Sequence, residues 1–270
     1  MKAKLFLLLA SLLISACSPQ EPPQVERLTG QTMGTSYSVV WPSGYAAVTP
    51  AQIKPLIEQR LKELNHQMST YDASSEISRF NQASPPYSQT ISSEFSSVMS
   101  LAIELYELSG GFFDVSVGPL VNLWGFGPDT GSKAPSNKQI ENALNQVGLS
   151  QVSLNGLELK KEAQRYIDLS AIAKGYAVDE LALILEAHDI NAYLVEVGGE
   201  IRTKGHKAQG KPWKVAIESP DISKRRVHKI LSMDDNAMAT SGDYRNYFEI
   251  DGQRFSHSIN PFNGNPVQHR

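Results

Sequence analysis

The chain has 270 residues, a length that allows one large domain or two small ones. Hydrophobic residues make up 41% of the sequence and charged residues 20%, as in ordinary globular proteins. The formal net charge is −3 and no basic block occurs, so the composition argues against nucleic acid as a partner.

The N-terminus has the order of regions found in a secretory signal peptide. Lys2 and Lys4 precede an apolar stretch over 5–14 that is too short to span a bilayer, and small residues follow. The run LISAC, which ends at Cys17, resembles a bacterial lipoprotein box. We therefore predict a signal peptide over 1–16 and a lipid on Cys17. The alternative is a plain secretion signal with an incidental cysteine.

Residues 17–27 are polar and rich in proline, a composition typical of a tether. Cys17 is the only cysteine in the chain, so it has no intramolecular disulfide partner. No later segment is long and apolar enough to cross a membrane. These features predict a domain over 28–270 that faces the periplasm and touches the bacterial membrane through the lipid anchor only.

The first part of this domain mixes strands and helices. A strand pair or one bent strand is predicted over 28–41, because Gly34 marks a bulge or a close approach inside it. Residues 68–72 are predicted to form a loop that carries an aromatic side chain, Tyr71. Apolar spacing and capping residues predict helices over 50–66, 76–81 and 94–108.

Residues 110–127 (GGFFDVSVGPLVNLWGFG) have an unusual composition. The stretch is too rich in glycine for a core strand and too apolar for a solvated loop. We interpret it as a loop wall against a flat ligand, because aromatic side chains lie next to glycines at both of its ends. An irregular buried loop is the alternative.

The second part contains more strand than helix. A helix over 137–147 precedes a hairpin over 152–159, whose turn contains the strong signal Asn155-Gly156. The sequence predicts an α+β fold, interpreted as two interlocked lobes of mixed sheet and helices. The further predicted strands are 192–197, 200–203, 213–218, 237–240 and a hairpin of 247–250 with 254–259.

The stretch 166–179 (YIDLSAIAKGYAVD) is the centre of the functional prediction. The pair Tyr166-Ile167 favours a strand, Asp168 to Ser170 a turn, and the later apolar spacing a helix. Ser170 is predicted to cap this helix. The N–H groups of the first turn, the helix dipole and Lys174 together predict an anion or phosphate site. The alternative is an ordinary strand-to-helix joint.

Several familiar motifs are absent from the sequence. It contains no Walker A motif, no GxGxxG after a strand, no GxSxG elbow and no HExxH, and its six histidines lack zinc spacing. The candidate polar groups are rich in oxygen, and oxygen ligands suit Mg²⁺, which often partners phosphates. These groups are Asp168, Thr240, Ser241 and Asp243, with His257 as the one histidine in a motif-like setting.

Seven stretches place small residues beside polar or aromatic ones. They are MGT at 33, STYD at 69, FDVSVGPLVNLWGFGP at 113, DLSAIAKGYAVD at 168, VGGEIR at 197, ATSGDYRNY at 239 and HSINP at 257. Each stretch alone is a weak signal, but the combination is specific. In this order they resemble the ApbE family, the FAD:protein FMN transferases, from about Leu28 to the end of the chain.

The resemblance implies an enzyme that binds FAD, passes its FMN half to a threonine or serine hydroxyl of an acceptor protein and releases AMP, with help from Mg²⁺. It implies acceptors among the flavin-carrying subunits of Na⁺-pumping NADH:quinone reductase and Rnf complexes. Two alternatives stay open. Water could attack in the same site and split FAD into FMN and AMP, or the protein could be a non-catalytic flavin-binding lipoprotein.

The resemblance also implies roles for individual residues. Tyr71 would stack on the flavin ring, and the carbonyl of Ala171 would reach the metal. His257 would take the proton of the acceptor hydroxyl, with Asp243 as the second catalytic candidate. The residues implied in FAD binding are Met33, Tyr71, Asp114, Val115, Ser116, Asp168, Lys174, Thr240, Ser241 and Gly242.

The family pattern continues beyond the HSINP stretch with a strand and a helix, whose aspartate and threonine complete the metal site. This sequence stops at Arg270, so the domain is expected to be incomplete at its C-terminus. We favour a fragment because the upstream motifs are intact. A truncated protein, which would bind metal weakly, is the alternative. The chain also has Asn260 where the family commonly has aspartate.

Overall fold

The computed structural model describes residues 25–44, 46–128, 134–219, 226–242, 247–250 and 252–268. The predicted signal peptide, Cys17 and Asp243 lie outside these ranges. Strand β1 begins at Val25, so residues 25–27, which we assigned to the tether, belong to a strand. Within the described ranges, no helix has the length and apolar character needed to cross a membrane.

Six α-helices lie in the described part of the chain. Three of them begin after a serine, at Ser75, Ser92 and Ser136, whose hydroxyl accepts the backbone N–H three residues later. These caps are local signals, and the predicted helices were placed correctly from them. The helices are α1 (Pro50–Met68), α2 (Glu76–Gln82), α3 (Ser93–Leu108), α4 (Gly118–Leu123), α5 (Asn137–Leu144) and α6 (Ala173–Glu186).

The strands of the described chain form antiparallel sheets. The largest has the order β1-β2-β6-β7-β10, and the smaller ones are β3-β5-β4, β8-β9 and β11-β12. With the helices, this arrangement confirms the predicted α+β class. The strands are β1 (Val25–Thr32), β2 (Thr35–Pro42), β3 (Tyr87–Thr90), β4 (Val152–Asn155), β5 (Glu158–Lys161), β6 (Tyr193–Val197), β7 (Glu200–Lys204), β8 (Trp213–Glu218), β9 (Val227–Met233), β10 (Ala237–Met238), β11 (Tyr247–Ile250) and β12 (Gln253–Ser256).

The two faces of the largest sheet are covered by different elements. Helices α1 and α6 pack on one face and bury the side chain of Val39, together with the apolar stripe of α1. The next residue along β2, Val40, points to the opposite face, where it packs with Trp213 and Met233 of the β8–β9 hairpin. This alternation is the period-two pattern of a strand that is buried on both sides.

A part-buried arginine joins three helices behind the sheet. Arg60 of α1 donates to Glu180 of α6 at 2.9 and 2.7 Å from Nε and Nη2, and Nη2 also donates to Glu94 of α3 at 2.9 Å. Burial first, and then a hydrogen bond to Glu180, raise the pKa of the neighbouring Tyr176 hydroxyl to about 12, whereas the charge of Arg60 acts to lower it. These hydrogen bonds tie α6 to α1 and α3.

A second, smaller core forms between α4 and α5. Leu120 and Trp124 are one helical turn apart and pack against Ile140 of α5. The Trp124 indole N–H donates to the carbonyl of Gly264 at 2.7 Å, and its ring stacks on Phe255 at 5.3 Å. Our prediction of a loop throughout 110–127 was therefore wrong at α4, because two large apolar residues at helical spacing outweigh the glycines around them.

One charged side chain in the described part of the chain is fully buried. Lys161 at the end of β5 is 0% exposed. Its ammonium donates to the carbonyls of Asn81 at 3.1 Å and Arg165 at 3.3 Å and lies 5.0 Å from the ring centre of Phe80. Burial lowers the pKa of Lys161 from its ordinary value of 10.5 to about 8, since the charged form is poorly solvated there.

This buried lysine predicts a defined pH dependence of stability. Between pH 8 and about 10.5 the unfolded chain holds a proton on Lys161 that the folded chain has released, so the free energy of unfolding gains a term that rises with pH. We expect the stability of the wild type to increase relative to that of Lys161→Met across this interval, in urea denaturation at a series of pH values. For the exposed control Lys138→Met, the difference in stability from the wild type should stay constant across this pH interval. A constant difference for Lys161→Met as well would contradict the prediction.

Candidate functional site

A buried side chain holds the segment that leads into α6. Asn81 of α2 donates its Nδ2 to the carbonyl of Ile167 at 2.8 Å and accepts the N–H of Ile167 at Oδ1, at 2.7 Å. Our prediction of a strand at Tyr166-Ile167 was wrong, because a side-chain amide takes the place of a neighbouring strand. The N–H of Asp168 then donates to the carbonyl of Val115 at 2.7 Å, which sets the DVS and DLS segments side by side.

The turn after Ile167 is closed by its own side chains. The N–H and hydroxyl of Ser170 both donate to Oδ1 of Asp168, at 2.8 and 2.5 Å. Ser170 is therefore not the N-cap that we predicted, since α6 begins at Ala173 and its hydroxyl is engaged by the aspartate. Among the described residues, no donor bonds to Oδ2 of Asp168, so one carboxylate oxygen remains available to a ligand.

Asp114 and Ser116 repeat this turn in a buried setting. The N–H and hydroxyl of Ser116 donate to Oδ1 of Asp114 at 2.7 and 2.6 Å, and the Ser116 hydroxyl accepts the N–H of Gly148 at 2.6 Å. Burial raises the pKa of Asp114, against the lowering effect of these hydrogen bonds. Both side chains shape the loop around Val115, which is itself buried. Their contact with a nucleotide stays a prediction.

Tyr71, Phe126 and His257 lie together at the surface. The Tyr71 hydroxyl donates to the carbonyl of Phe126 at 3.3 Å, and the Phe126 ring meets the His257 ring edge-on at 6.3 Å. The pKa of the Tyr71 hydroxyl is raised, first by the protein that displaces water from it and second by the charge of Asp168. Tyr71 is still 68% exposed, so its ring offers an open aromatic surface beside the histidine.

Lys174, in the first turn of α6, is held from two sides. Its ammonium lies 3.3 Å from the carbonyl of Ser170 and 3.4 Å from Oε1 of Glu200. Its stem crosses Gly198, where a Cβ atom would lie 3.0 Å from Cδ of Lys174 and 2.7 Å from Cγ2 of Thr35. Gly198 also has a φ of +57°, so both space and backbone conformation require glycine at this position.

Met33 lies at the tip of the β1–β2 hairpin. Met33 and Gly34 have φ values of +49° and +71°, as in the two-residue turns that suit the twist of a hairpin. The Met33 side chain is partly buried against the main core. Next to the turn, Thr32 accepts a hydrogen bond from Asn65 near the end of α1 at 3.1 Å, so the hairpin tip and the loop that carries Tyr71 approach the same side.

The remaining predicted residues form an exposed border. The Thr240 hydroxyl donates to the carbonyl of Gly199 at 3.4 Å, and Ser241 and Gly242 follow it on the surface. Ala171 is exposed, and within the described ranges no backbone N–H donates to its carbonyl. That carbonyl fits one oxygen ligand of a metal ion. Asp243, the second catalytic candidate, falls outside the described residues.

Three residues of the site were missed by the sequence analysis. Phe126 joins Tyr71 to His257, and its place in the Trp-Gly-Phe-Gly end of the glycine-rich stretch is a signal that could have found it. Glu200 pairs with Lys174 and follows the double glycine directly, a second usable signal. Asn81 has no signal in the sequence, since its partner lies 86 residues further along the chain.

An exposed aromatic ring, a lysine at a helix start and a histidine thus lie on the predicted site loops, and their contact with a flat, anionic ligand stays a prediction. The chain belongs to the ApbE family, whose family model matches residues 33–270. A Vibrio cholerae protein named FAD:protein FMN transferase is 41% identical over 272 residues, which cover 100% of this chain and 81% of the relative. A Haemophilus influenzae protein of the same name is 42% identical over 268 residues, which cover 96% and 77%.

Solved structures agree with this assignment. The flavin transferase ApbE from Vibrio cholerae superposes with a TM-score of 0.84 at 41% identity, over 92% of this chain and 80% of that one. The ApbE protein from Thermotoga maritima gives a TM-score of 0.81 at 32% identity, over 91% and 79%. The family resemblance of the motifs is thus confirmed at the level of both sequence and fold.

The geometry before α6 predicts that Asn81 is essential to stability. Asn81→Ala would leave the buried N–H and carbonyl of Ile167 without partners, and we expect a loss of about 2–4 kcal/mol in the free energy of unfolding. Urea denaturation measures this loss. Asn65→Ala, which removes a part-buried bond to Thr32, is the matched control and should lose less. An equal loss of unfolding free energy in both variants would contradict the prediction that the hydrogen bonds to Ile167 stabilise the fold more than the bond to Thr32.

Proposed function

We propose that this protein is an FAD:protein FMN transferase. It binds FAD and transfers the FMN half to a threonine or serine hydroxyl of an acceptor protein. The observation that supports this function most strongly is the similarity, along the whole chain, to relatives of that name. The convergence of the DVS, DLS and GGE segments around the start of α6 gives a place where a flavin nucleotide can bind.

In this reaction the acceptor oxygen attacks the phosphorus of the FMN half. A bond forms between that oxygen and the phosphorus, the bond from the phosphorus to the bridging oxygen of the diphosphate breaks, and AMP leaves with the bridging oxygen. The acceptor hydroxyl loses its proton in the same step. His257 is the group proposed to take this proton, because histidine exchanges protons near neutral pH and its ring lies at the open edge of the site.

The start of α6 is proposed to bind the phosphate groups. The backbone N–H groups of a first helical turn and the positive end of the helix dipole favour anions there. Lys174 adds a full positive charge in the same turn. Asp168, with Oδ2 available, is proposed to accept a hydrogen bond from the nucleotide.

The flavin ring is proposed to lie against Tyr71, with Met33 on its other side. The Tyr71 ring is exposed, and the hydrogen bond from its hydroxyl to Phe126 limits its rotation. A flat, polarizable ring system stacks well on an oriented aromatic side chain. This arrangement would place the phosphates of FAD between Tyr71 and Lys174.

Mg²⁺ is proposed as the cofactor, and when bound it would supply positive charge to the diphosphate. The exposed carbonyl of Ala171 fits a magnesium ligand because hard oxygen donors suit this ion. Across the described residues, no group of three or more histidine, cysteine, aspartate or glutamate side chains is placed to hold a metal. The described residues alone therefore make an incomplete site, and no catalytic step is assigned to the ion.

The acceptors and the location of the enzyme are proposed together. Lipid attached to Cys17 would keep the domain at the bacterial membrane on its periplasmic side, as the signal sequence predicts. Flavin-carrying subunits of Na⁺-pumping NADH:quinone reductase or Rnf complexes would meet the enzyme there. The support for these partners is the family resemblance.

Transfer is tested by mixing the purified protein with FAD, Mg²⁺ and a candidate acceptor subunit, then denaturing the mixture and looking for flavin fluorescence on the acceptor band in a gel. We expect a fluorescent band that is lost when EDTA replaces Mg²⁺. AMP and free FMN without a labelled band would instead indicate a hydrolase. Bound flavin with neither AMP nor a band would indicate a storage protein.

The same assay tests the proton acceptor. His257→Ala is expected to slow transfer by roughly 10²–10⁴-fold, the usual contribution of a general base, with the dissociation constant for FAD nearly unchanged. His206→Ala is the matched control, since His206 pairs with Asp234 away from the site loops. A full rate in His257→Ala would remove this residue from the mechanism.

Stacking on Tyr71 has its own test. Tyr71→Ala is expected to weaken FAD binding by about 1–3 kcal/mol, in line with aromatic stacking on nucleic-acid bases. Tyr71→Phe keeps the ring and should bind FAD like the wild type. Titration of FAD, followed by quenching of flavin fluorescence, measures both. Equal affinity in all three proteins would rule out a stacking role.

A further inference from the structure

We propose that Glu200 is a positioning residue for nucleotide binding, which acts by holding the Lys174 ammonium at the start of α6. This inference rests on the proposed function, since it takes FAD as the ligand that Lys174 meets. No role for Glu200 was predicted from the sequence. The inference depends on the contacts of Lys174 and on the unusual environment of the Glu200 carboxylate.

Lys174 is fixed at both ends of its side chain. Its stem is confined where it crosses Gly198, next to Thr35. Its ammonium is held by Oε1 of Glu200 at 3.4 Å and by the carbonyl of Ser170 at 3.3 Å. Without Glu200, the carbonyl of Ser170 is the only one of these two contacts left, and the four-carbon stem regains rotamers that point the charge away from α6.

The Glu200 carboxylate is poorly placed to serve the fold. Its Oε2 atom is buried and, within the described ranges, has no hydrogen-bond partner. A second carboxylate, Glu196, lies near enough for the charge of Glu200 to help raise its pKa, after the larger effect of burial. Buried oxygens without donors and nearby like charges both lower stability. We attribute the presence of a carboxylate at this destabilising position to its contact with Lys174.

Removal of the Glu200 charge has two opposing effects on the affinity for FAD, and their relative sizes decide whether the affinity falls or rises. Ordering a free lysine on binding lowers affinity by up to about 30-fold, because the side chain loses its rotamer freedom. Loss of the negative charge of Glu200 favours the anionic diphosphate, but by only about twofold through solvent at this part-exposed position. The net expectation is a dissociation constant for FAD that rises about 10-fold.

The test compares Glu200→Gln, which keeps the shape of the side chain, with Glu180→Gln. Glu180 lies on the same helix as Lys174 and pairs with Arg60 at 2.7 Å, so it is a structural carboxylate. For each variant the dissociation constant for FAD is measured by fluorescence quenching, and the melting temperature is measured without ligand. We expect weaker FAD binding and an unchanged or higher melting temperature for Glu200→Gln. We expect the reverse for Glu180→Gln, a lower melting temperature and unchanged FAD binding.

Action through Lys174 is tested by a double-mutant cycle. Lys174→Met should also weaken FAD binding, and adding Glu200→Gln to it should have no further effect, because the group that Glu200 positions is gone. A full additional loss in the double variant would overturn the inference, as would wild-type affinity in Glu200→Gln. Failure of the proposed function gives a different result. The wild type would then either not bind FAD at all, or bind FAD without labelling an acceptor, and in the second case the affinity comparison between the variants still tests Glu200.

Discussion

The DVS and DLS loops of the site take their positions from the pair of hydrogen bonds between the Asn81 side chain and the peptide of Ile167. This pair fixes the chain at Ile167, three residues before Ser170, whose N–H and hydroxyl close the turn on Asp168. The N–H of Asp168 then donates to the carbonyl of Val115, so these two loops are attached to one buried amide rather than to a sheet. The amide is in turn supported by Lys161, whose ammonium donates to the carbonyl of Asn81.

The same turn, closed by an aspartate and the serine two residues later, recurs around the site. At Asp72, Asp114 and Asp168, one carboxylate oxygen accepts both the N–H and the hydroxyl of the serine two residues later. In each turn the two hydrogen bonds to the aspartate close within three residues, a local pattern that aspartate and serine favour. The serine hydroxyl is engaged by the aspartate in this turn, and for this reason Ser170 does not cap α6.

The sequence was informative wherever the deciding interaction is local. Ser92 and Ser136 cap helices that were predicted correctly, and Asn155-Gly156 marks a real hairpin. Prediction from the sequence failed where the interaction partner lies far away along the chain. The chain at Tyr166-Ile167 forms no strand, because its partner is a side chain on α2. The motif order predicted which loops contribute residues to the candidate site, and their roles stay predictions. The composition of the Trp-Gly-Phe-Gly stretch could have drawn attention to Phe126, but its contact with the distant His257 could not be found from a local pattern.

The hydrogen bond from the Trp124 indole links the His257 side of the candidate site to a small, separate core. The cluster of Leu120, Trp124 and Ile140 shares no buried side chain with the main core, and it is much smaller. Regions with few buried apolar contacts open at lower free energy than the whole protein. The His257 loop is anchored to this cluster through Gly264. Asp168 and Lys174 instead lie next to Ile167, Leu169 and Ala173, which belong to the main core. The two sides of the candidate site therefore differ in local stability, and the side that carries His257 is expected to open at a lower free energy than the side that carries Lys174.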